Sequence, residues 1–200
     1  NFSLMTPFFD PGPSEYPFPA VFTAAVNGYN CQVAGEVSDG LMLHSLTSPE
    51  YVRQVVRPSL EKGAQKAGRD GDAIKVTGGG FIITGPDRTS IRAMQAEVRK
   101  RIAFYASTRS YFPVLASHGF EEIGQQLHEM SLKGQWAEMG ELVSDEMLDS
   151  FSVSGEYDEI ADKFVSRYKG LLDEVSFTLV CEKQPEEAQI KKMVRRLQEL

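Results

Sequence analysis

The residues best placed to do chemistry are a polar turn, Asn27-Gly28-Tyr29-Asn30, and a histidine, His44, each closing an apolar run. The run 20–26 reads as a strand, and Gly28 punctuates its junction with a helix of small residues over 29–37. A strand that ends in Asn-Gly and opens a helix offers unpaired N–H groups, backed by the positive end of the helix dipole, to whatever lies above the strand end. An anion belongs there. His44 ends a second strand-like run, 40–44, and its ring suits hydrogen bonding or proton transfer, or equally a structural role. Tyr105, Arg109 and Tyr111 form a third group, able to line a substrate pocket or, as aromatics at helical spacing, to pack in a core. Glu36 and Asp39 have the look of a carboxylate pair, although helix-end capping and a turn before Gly40 explain them better. No histidine or cysteine spacing suits a metal ion, and Cys31 and Cys181 read as reduced, mostly buried thiols.

The elements that must position these groups follow from pattern. Thr47-Ser48-Pro49-Glu50 caps and opens an amphipathic helix carrying Tyr51, Val52, Val55, Val56, Leu60 and Ala64, in which Pro58 predicts a kink. Turn residues 68–72 lead into a third strand, 74–84, whose Gly78-Gly79-Gly80 permits a bulge or the close approach of a flat ring. A long helix follows through Ile91, Met94, Val98, Ile102 and Tyr105. The stretch 107–151 reads as an inserted set of short helices, and Ser154-Gly155-Glu156 as the start of another helix, through Tyr168. A fourth strand over 175–180 and a final amphipathic helix from Pro185 complete the chain.

Strand and helix alternate four times, which predicts an α/β architecture with a parallel sheet covered by helices. Four units are half of the eight that close a common α/β barrel. The chain opens on a proline-rich segment, 1–19, that reads as the connecting loop of a larger structure, with residues expected upstream. With 200 residues, 42% hydrophobic and 24% charged, the chain reads as one globular domain over 1–200. The net charge of −7, with basic residues scattered along helices, argues against nucleic acid and anionic lipid as partners. No apolar run approaches the ~20 residues that span a bilayer, and a cytoplasmic location is expected.

Several separated blocks resemble a known family. Leu4-Met5-Thr6-Pro7-Phe8-Phe9-Asp10-Pro11-Gly12-Pro13, Ala24-Ala25-Val26-Asn27-Gly28, Ala34-Gly35-Glu36-Val37-Ser38-Asp39-Gly40, 102–108, Trp136-Ala137-Glu138-Met139-Gly140 and Val175-Ser176-Phe177 are similar, in order, to the C-terminal portion of the luciferase-like monooxygenase superfamily. The likeness is to the branch that uses the deazaflavin coenzyme F420 in place of FMN. The resemblance implies strands five to eight of a (β/α)8 TIM-type barrel, with the helical insertion 107–151 between the last two. It implies hydride transfer between F420, or FMN as the alternative, and a small organic substrate, with the coenzyme lying across the C-terminal mouth. Asn27, Gly28, Tyr29 and Asn30 are then expected to bind the coenzyme, His44 to be catalytic, and Tyr105, Arg109 and Tyr111 to bind substrate. One departure is Tyr29, where the family block usually continues from glycine to proline.

The family's usual acid–base groups lie mostly on the first four strands, outside this sequence. A non-catalytic flavin-binding or dimeric half-barrel, and a phosphate-binding lyase or isomerase on the same scaffold, therefore stay open. A half-barrel would leave about 20 apolar side chains uncovered, a deficit of roughly 30 kcal/mol. A homodimer, or association with a missing N-terminal half, is accordingly expected.

Overall fold

The computed structural model describes residues 16–198, so the expected loop over 1–19 and the block 4–13 lie wholly or mostly outside the described residues. Strand β1 (Phe22–Ala25), helix α1 (Gly28–Val37) and strand β2 (Gly40–Leu43) form a parallel β-α-β unit, with Ala24 opposite Met42. The second helix runs as α2 (Pro49–Tyr51), widens into a π turn over Val52–Val56 and continues as α3 (Arg57–Lys66). Ser48 caps it by accepting the Tyr51 N–H at 3.1 Å. Where a kink is expected at Pro58, a π turn precedes the proline. Arg57 N–H reaches back five residues to the Val52 carbonyl, and the looser winding ahead of the proline accommodates the donor it lacks.

Where one strand over 74–84 is expected, there are two, β3 (Lys75–Gly78) and β4 (Phe81–Gly85), which belong to different sheets. The break falls at Gly79 and Gly80, with φ of 143° and 71°, a backbone that side chains rarely permit. A Cβ on Gly79 would stand 2.5 Å from the Phe164 ring, and one on Gly80 would stand 2.8 Å from the Tyr168 hydroxyl. The flat rings that the triple glycine admits are therefore the protein's own.

Helix α4 (Arg88–Ala106) follows, then a tight turn Arg109–Tyr111, α5 (Phe112–Ala116), α6 (Glu121–Leu132), a second tight turn Met139–Leu142 and α7 (Asp145–Phe151). The insertion is helical as expected, but it ends in a strand, β5 (Ser152–Glu156), where a helix start is expected. The correction has a physical cause: Ile82 and Ile83 of β4 are fully buried, so both edges of that strand need hydrogen-bonding partners, and β5 supplies one of them. Helix α8 (Ile160–Tyr168) leads to the last strand, split into β6 (Glu174–Val175) and β7 (Leu179–Val180), and α9 (Glu187–Gln198).

All pairings are parallel, giving one sheet ordered β1-β2-β3-β6 and another ordered β5-β4-β7. The described residues thus hold two short sheets in place of one four-stranded arc. Ala25, Leu41 and Val76 point from the first sheet into a core with Cys31, Ala34, Val56, Leu60 and Ala64 of the flanking helices. On the second sheet, Ile82 and Val153 pack against Ile160, Phe164, Tyr168 and Met193 of α8 and α9.

Helices α1 and α3 touch at backbone distance. A Cβ on Gly35 would stand 2.2 Å from the Leu60 carbonyl oxygen, and one on Gly63 would stand 2.0 Å from that of Gln32. Arg69 secures the end of α1 by donating to the carbonyls of Gly35 at 2.9 Å and Ser38 at 2.7 Å. Among the described residues, no helix is long and apolar enough to cross a membrane.

Candidate functional site

The C-terminal ends of β1 and β2 sit side by side, because parallel strands present the same ends together, and this brings the Asn27 turn next to His44. Asn27 caps α1, its Oδ1 accepting the Asn30 N–H at 2.9 Å. The first intrahelical bond behind it runs from Cys31 N–H to the Asn27 carbonyl at 3.0 Å. By helix geometry the N–H groups of Gly28 and Tyr29 have no intrahelical acceptor.

An open cleft of about 350 Å³ lies over this edge, lined by Ala24, Ala25, Asn27, Asn30, Met42, His44, Ser110 and Tyr111 among others. Apolar groups from Ala24 to Met42 and Leu43 line it together with the hydrogen-bonding side chains of Asn27, Asn30, His44, Ser110 and Tyr111. Gly28 and Tyr29 do not line it. The space a Gly28 side chain would take faces Ser59 and Val55 of the π turn and α3, 3.1 and 3.4 Å away, and Tyr29 is three-quarters exposed.

His44 is half-buried, and burial holds its imidazole below the ordinary range. Its Nδ1 accepts the Leu46 N–H at 3.0 Å. The Tyr105 ring meets it edge-on, with centroids 4.4 Å apart, and the Tyr111 ring lies tilted at 4.8 Å. Tyr105 from the end of α4 and Tyr111 from the insertion therefore both pack on His44 at the strand ends. Burial raises the Tyr111 phenol, with Tyr105 adding to the effect. Arg109, one turn away, is exposed and does not line the cleft.

Glu36 and Asp39 have structural partners. Glu36 accepts from Lys66 at 2.8 Å and Gln32 at 3.1 Å, and the Lys66 bond holds its carboxyl below the usual range. Asp39 accepts the Val21 N–H at 2.7 Å. Ser110 and Met42 also line the cleft, though neither belongs to a motif. Alternation offered a signal for Met42, which shares a face with His44 two residues on; Ser110 is placed by a turn whose path depends on the whole insertion.

A larger groove, about 570 Å³, separates α8 from α9. Much of its charge is already paired, Lys192 with Asp158 at 2.6 Å and Arg196 with Asp162 at 2.8 Å. Its position on the helical layer, away from strand ends, also makes it the weaker candidate. Among the described residues, no group of three or more His, Cys, Asp or Glu side chains is arranged to hold a metal ion.

Residues 1–174 match the family described as luciferase-like monooxygenase. An uncharacterized protein of Mycobacterium tuberculosis is 41% identical over 172 residues, 86% of this chain and 51% of the relative. The 5,10-methylenetetrahydromethanopterin reductase of Methanopyrus kandleri is 28% identical over 163 residues, 81% of this chain and 44% of that enzyme. The solved structure of the coenzyme F420 dependent tetrahydromethanopterin reductase from the same organism has the same fold, with a TM-score of 0.64 at 24% identity over 88% of this chain and 48% of that one. An F420-dependent secondary alcohol dehydrogenase, solved with an F420–acetone adduct, gives 0.60 at 13% identity over 90% and 49%. The chain spans about half the length of the curated relatives it matches.

Proposed function

Because the chain belongs to the luciferase-like monooxygenase family, we propose that it forms the C-terminal part of an oxidoreductase that moves a hydride between coenzyme F420 and a small organic substrate, with FMN as the alternative coenzyme. The F420-dependent relatives support this choice of coenzyme. One observation carries the reading: Asn27, Asn30, His44, Ser110 and Tyr111 converge on a single cleft at the strand ends. A planar group with an anionic tail suits that donor set. Ala24 leaves room for a flat ring, the Asn27 amide can meet an anion, and His44 and Tyr111 line the same cleft. When bound, the coenzyme supplies the hydride-accepting or hydride-donating ring; the chain's residues bind it, orient it and keep water from its face.

The rest of the site comes, on this reading, from strands one to four of a (β/α)8 barrel, of which the present chain is the half carrying strands five to eight. Those strands belong to the remaining length seen in the relatives, or a second copy of this chain covers the open side. Substrate contacts fall to Tyr111, which lines the cleft, with Tyr105 packed against His44 behind it.

Titration of the purified chain with oxidised F420, and separately with FMN, followed by coenzyme fluorescence, tests the reading. Saturable binding is expected, tighter for F420. Asn27→Asp keeps the helix cap but sets a carboxylate beside the anion, and should weaken binding about tenfold or more. Absence of binding by either coenzyme, or an unaltered affinity in the variant, removes the cleft as the coenzyme site.

A further inference from the structure

His44 presents one ring nitrogen that is already committed. A backbone N–H can only donate, so the 3.0 Å bond from Leu46 fixes Nδ1 as an acceptor. A neutral imidazole with a bare Nδ1 carries its proton on Nε2. The ring cannot easily turn over to exchange the two nitrogens, because Tyr105 stands edge-on at 4.4 Å and Tyr111 lies against it at 4.8 Å. The same residue lines the cleft with Asn27 and Ser110.

We propose that His44 is a fixed hydrogen-bond donor, offering Nε2–H to an acceptor oxygen of the cleft ligand, and is not a general base. A neutral His44 has no free lone pair with which to take a proton from substrate, since its one bare nitrogen is held by Leu46. The site therefore selects a ligand that places a carbonyl, enolate or other acceptor oxygen beside His44, and disfavours one that places an N–H or O–H donor there. Burial acts in the same sense, since it disfavours the charged imidazole. The rings of Tyr105 and Tyr111 lie against the imidazole, and neither is a carboxylate that could pull a second proton onto it. The proposal rests on the cleft being the ligand site, but its central claim is a property of the free protein.

The tautomer is read directly by long-range proton–nitrogen correlation on the ¹⁵N-labelled chain. The His44 signals are identified by their loss in His44→Gln and are thereby separated from those of His118 and His128. The expected result is a bare Nδ1 and a protonated Nε2 at about pH 8, where an ordinary imidazole is already neutral. A protonated Nδ1 overturns the proposal. With F420 as the probe, His44→Phe, which keeps a flat ring and has no donor, should bind about tenfold more weakly, and His44→Gln, which keeps an N–H donor, should recover part of that loss. Equal affinity in wild type and His44→Phe also overturns it. If wild type binds no F420 at all, the coenzyme reading fails, and the tautomer measurement alone decides the role of His44.

Discussion

His118 and Ser48 join the insertion to the start of α2 through a single contact, Nε2 to Oγ at 2.7 Å. Ser48 is fully buried and already accepts the Tyr51 N–H, so losing the histidine leaves one polar atom with less to bond. The ring also stacks on Phe120, with centroids 5.8 Å apart, and meets Phe151 edge-on at 5.4 Å. Burial lowers its ionisation below the ordinary imidazole range, with Arg167 acting in the same direction and Glu50 and Glu146 against it. The unfolded chain takes up this proton first as pH falls through about 6.5, so stability is complete above that pH and declines below it. Thermal unfolding between pH 7.5 and 5.5 should show the midpoint falling with pH, and His118→Gln should flatten that dependence. A slope unchanged in the variant would assign the effect to other groups, His44 first among them, since burial shifts it in the same direction. At this scale the sequence was informative where strand ends carried the residue, as with Asn27 and His44. It was silent on His118, whose partner lies 70 residues away.

The element most exposed to a single substitution is the α1–α3 pair. Gly63→Ala puts a methyl group 2.0 Å from a backbone oxygen that no side-chain rotation can move, so the helices must part. Overpacking of this kind costs about 1–3 kcal/mol or more, and a denaturant midpoint lowered by that amount is the expected result. Gly68→Ala serves as a control that separates crowding from backbone strain. Its position is open to solvent but has φ of 68°, so it should lose only the cost of a left-handed conformation. The strands and helices of the first β-α-β unit were legible to within about two residues, because alternation, caps and turn glycines all agree there. The glycines that fit α1 to α3 were not, since a close approach depends on the partner and leaves no local pattern. Strand β5 was missed for a related reason: Ser152-Val153-Ser154 is a weak strand alone, stabilised by pairing with β4 some 70 residues earlier.

At the scale of the whole molecule, alternation and register put Phe22, Ala24, Met42, Lys75, Thr77 and Glu174 on the face of the first sheet that the helices do not cover. Met42 is half-exposed, Phe22 folds over Gly40, and Lys75 pairs with Glu174 at 2.9 Å. On this sheet the apolar members of that face are Phe22, Ala24 and Met42. Phe22 and Met42 carry most of what such a face can gain on being covered, and association must also repay the lost free motion of two bodies, so contact between copies through it is weak. Sedimentation should accordingly find a single chain at a few micromolar and a rising average mass at higher concentration, with Met42→Lys suppressing the rise. A rise that Met42→Lys leaves intact would locate the contact elsewhere, at the strand edges.

The π turn over Val52–Val56 sets a rotation as well as accommodating a proline. Val52, Val56, Leu60 and Ala64 are all buried, at intervals of four. On an unbroken α-helix each such step advances the side chain by about 40° around the axis, so three steps would carry Ala64 about 120° away from Val52. The wider turn takes up part of that drift and keeps the stripe on one side. It thereby aims Gly63 at Gln32. Removing one residue from the turn would restore ordinary winding, yet it would rotate everything C-terminal to it, and the glycine contact would be lost while every residue forming it remained in the chain.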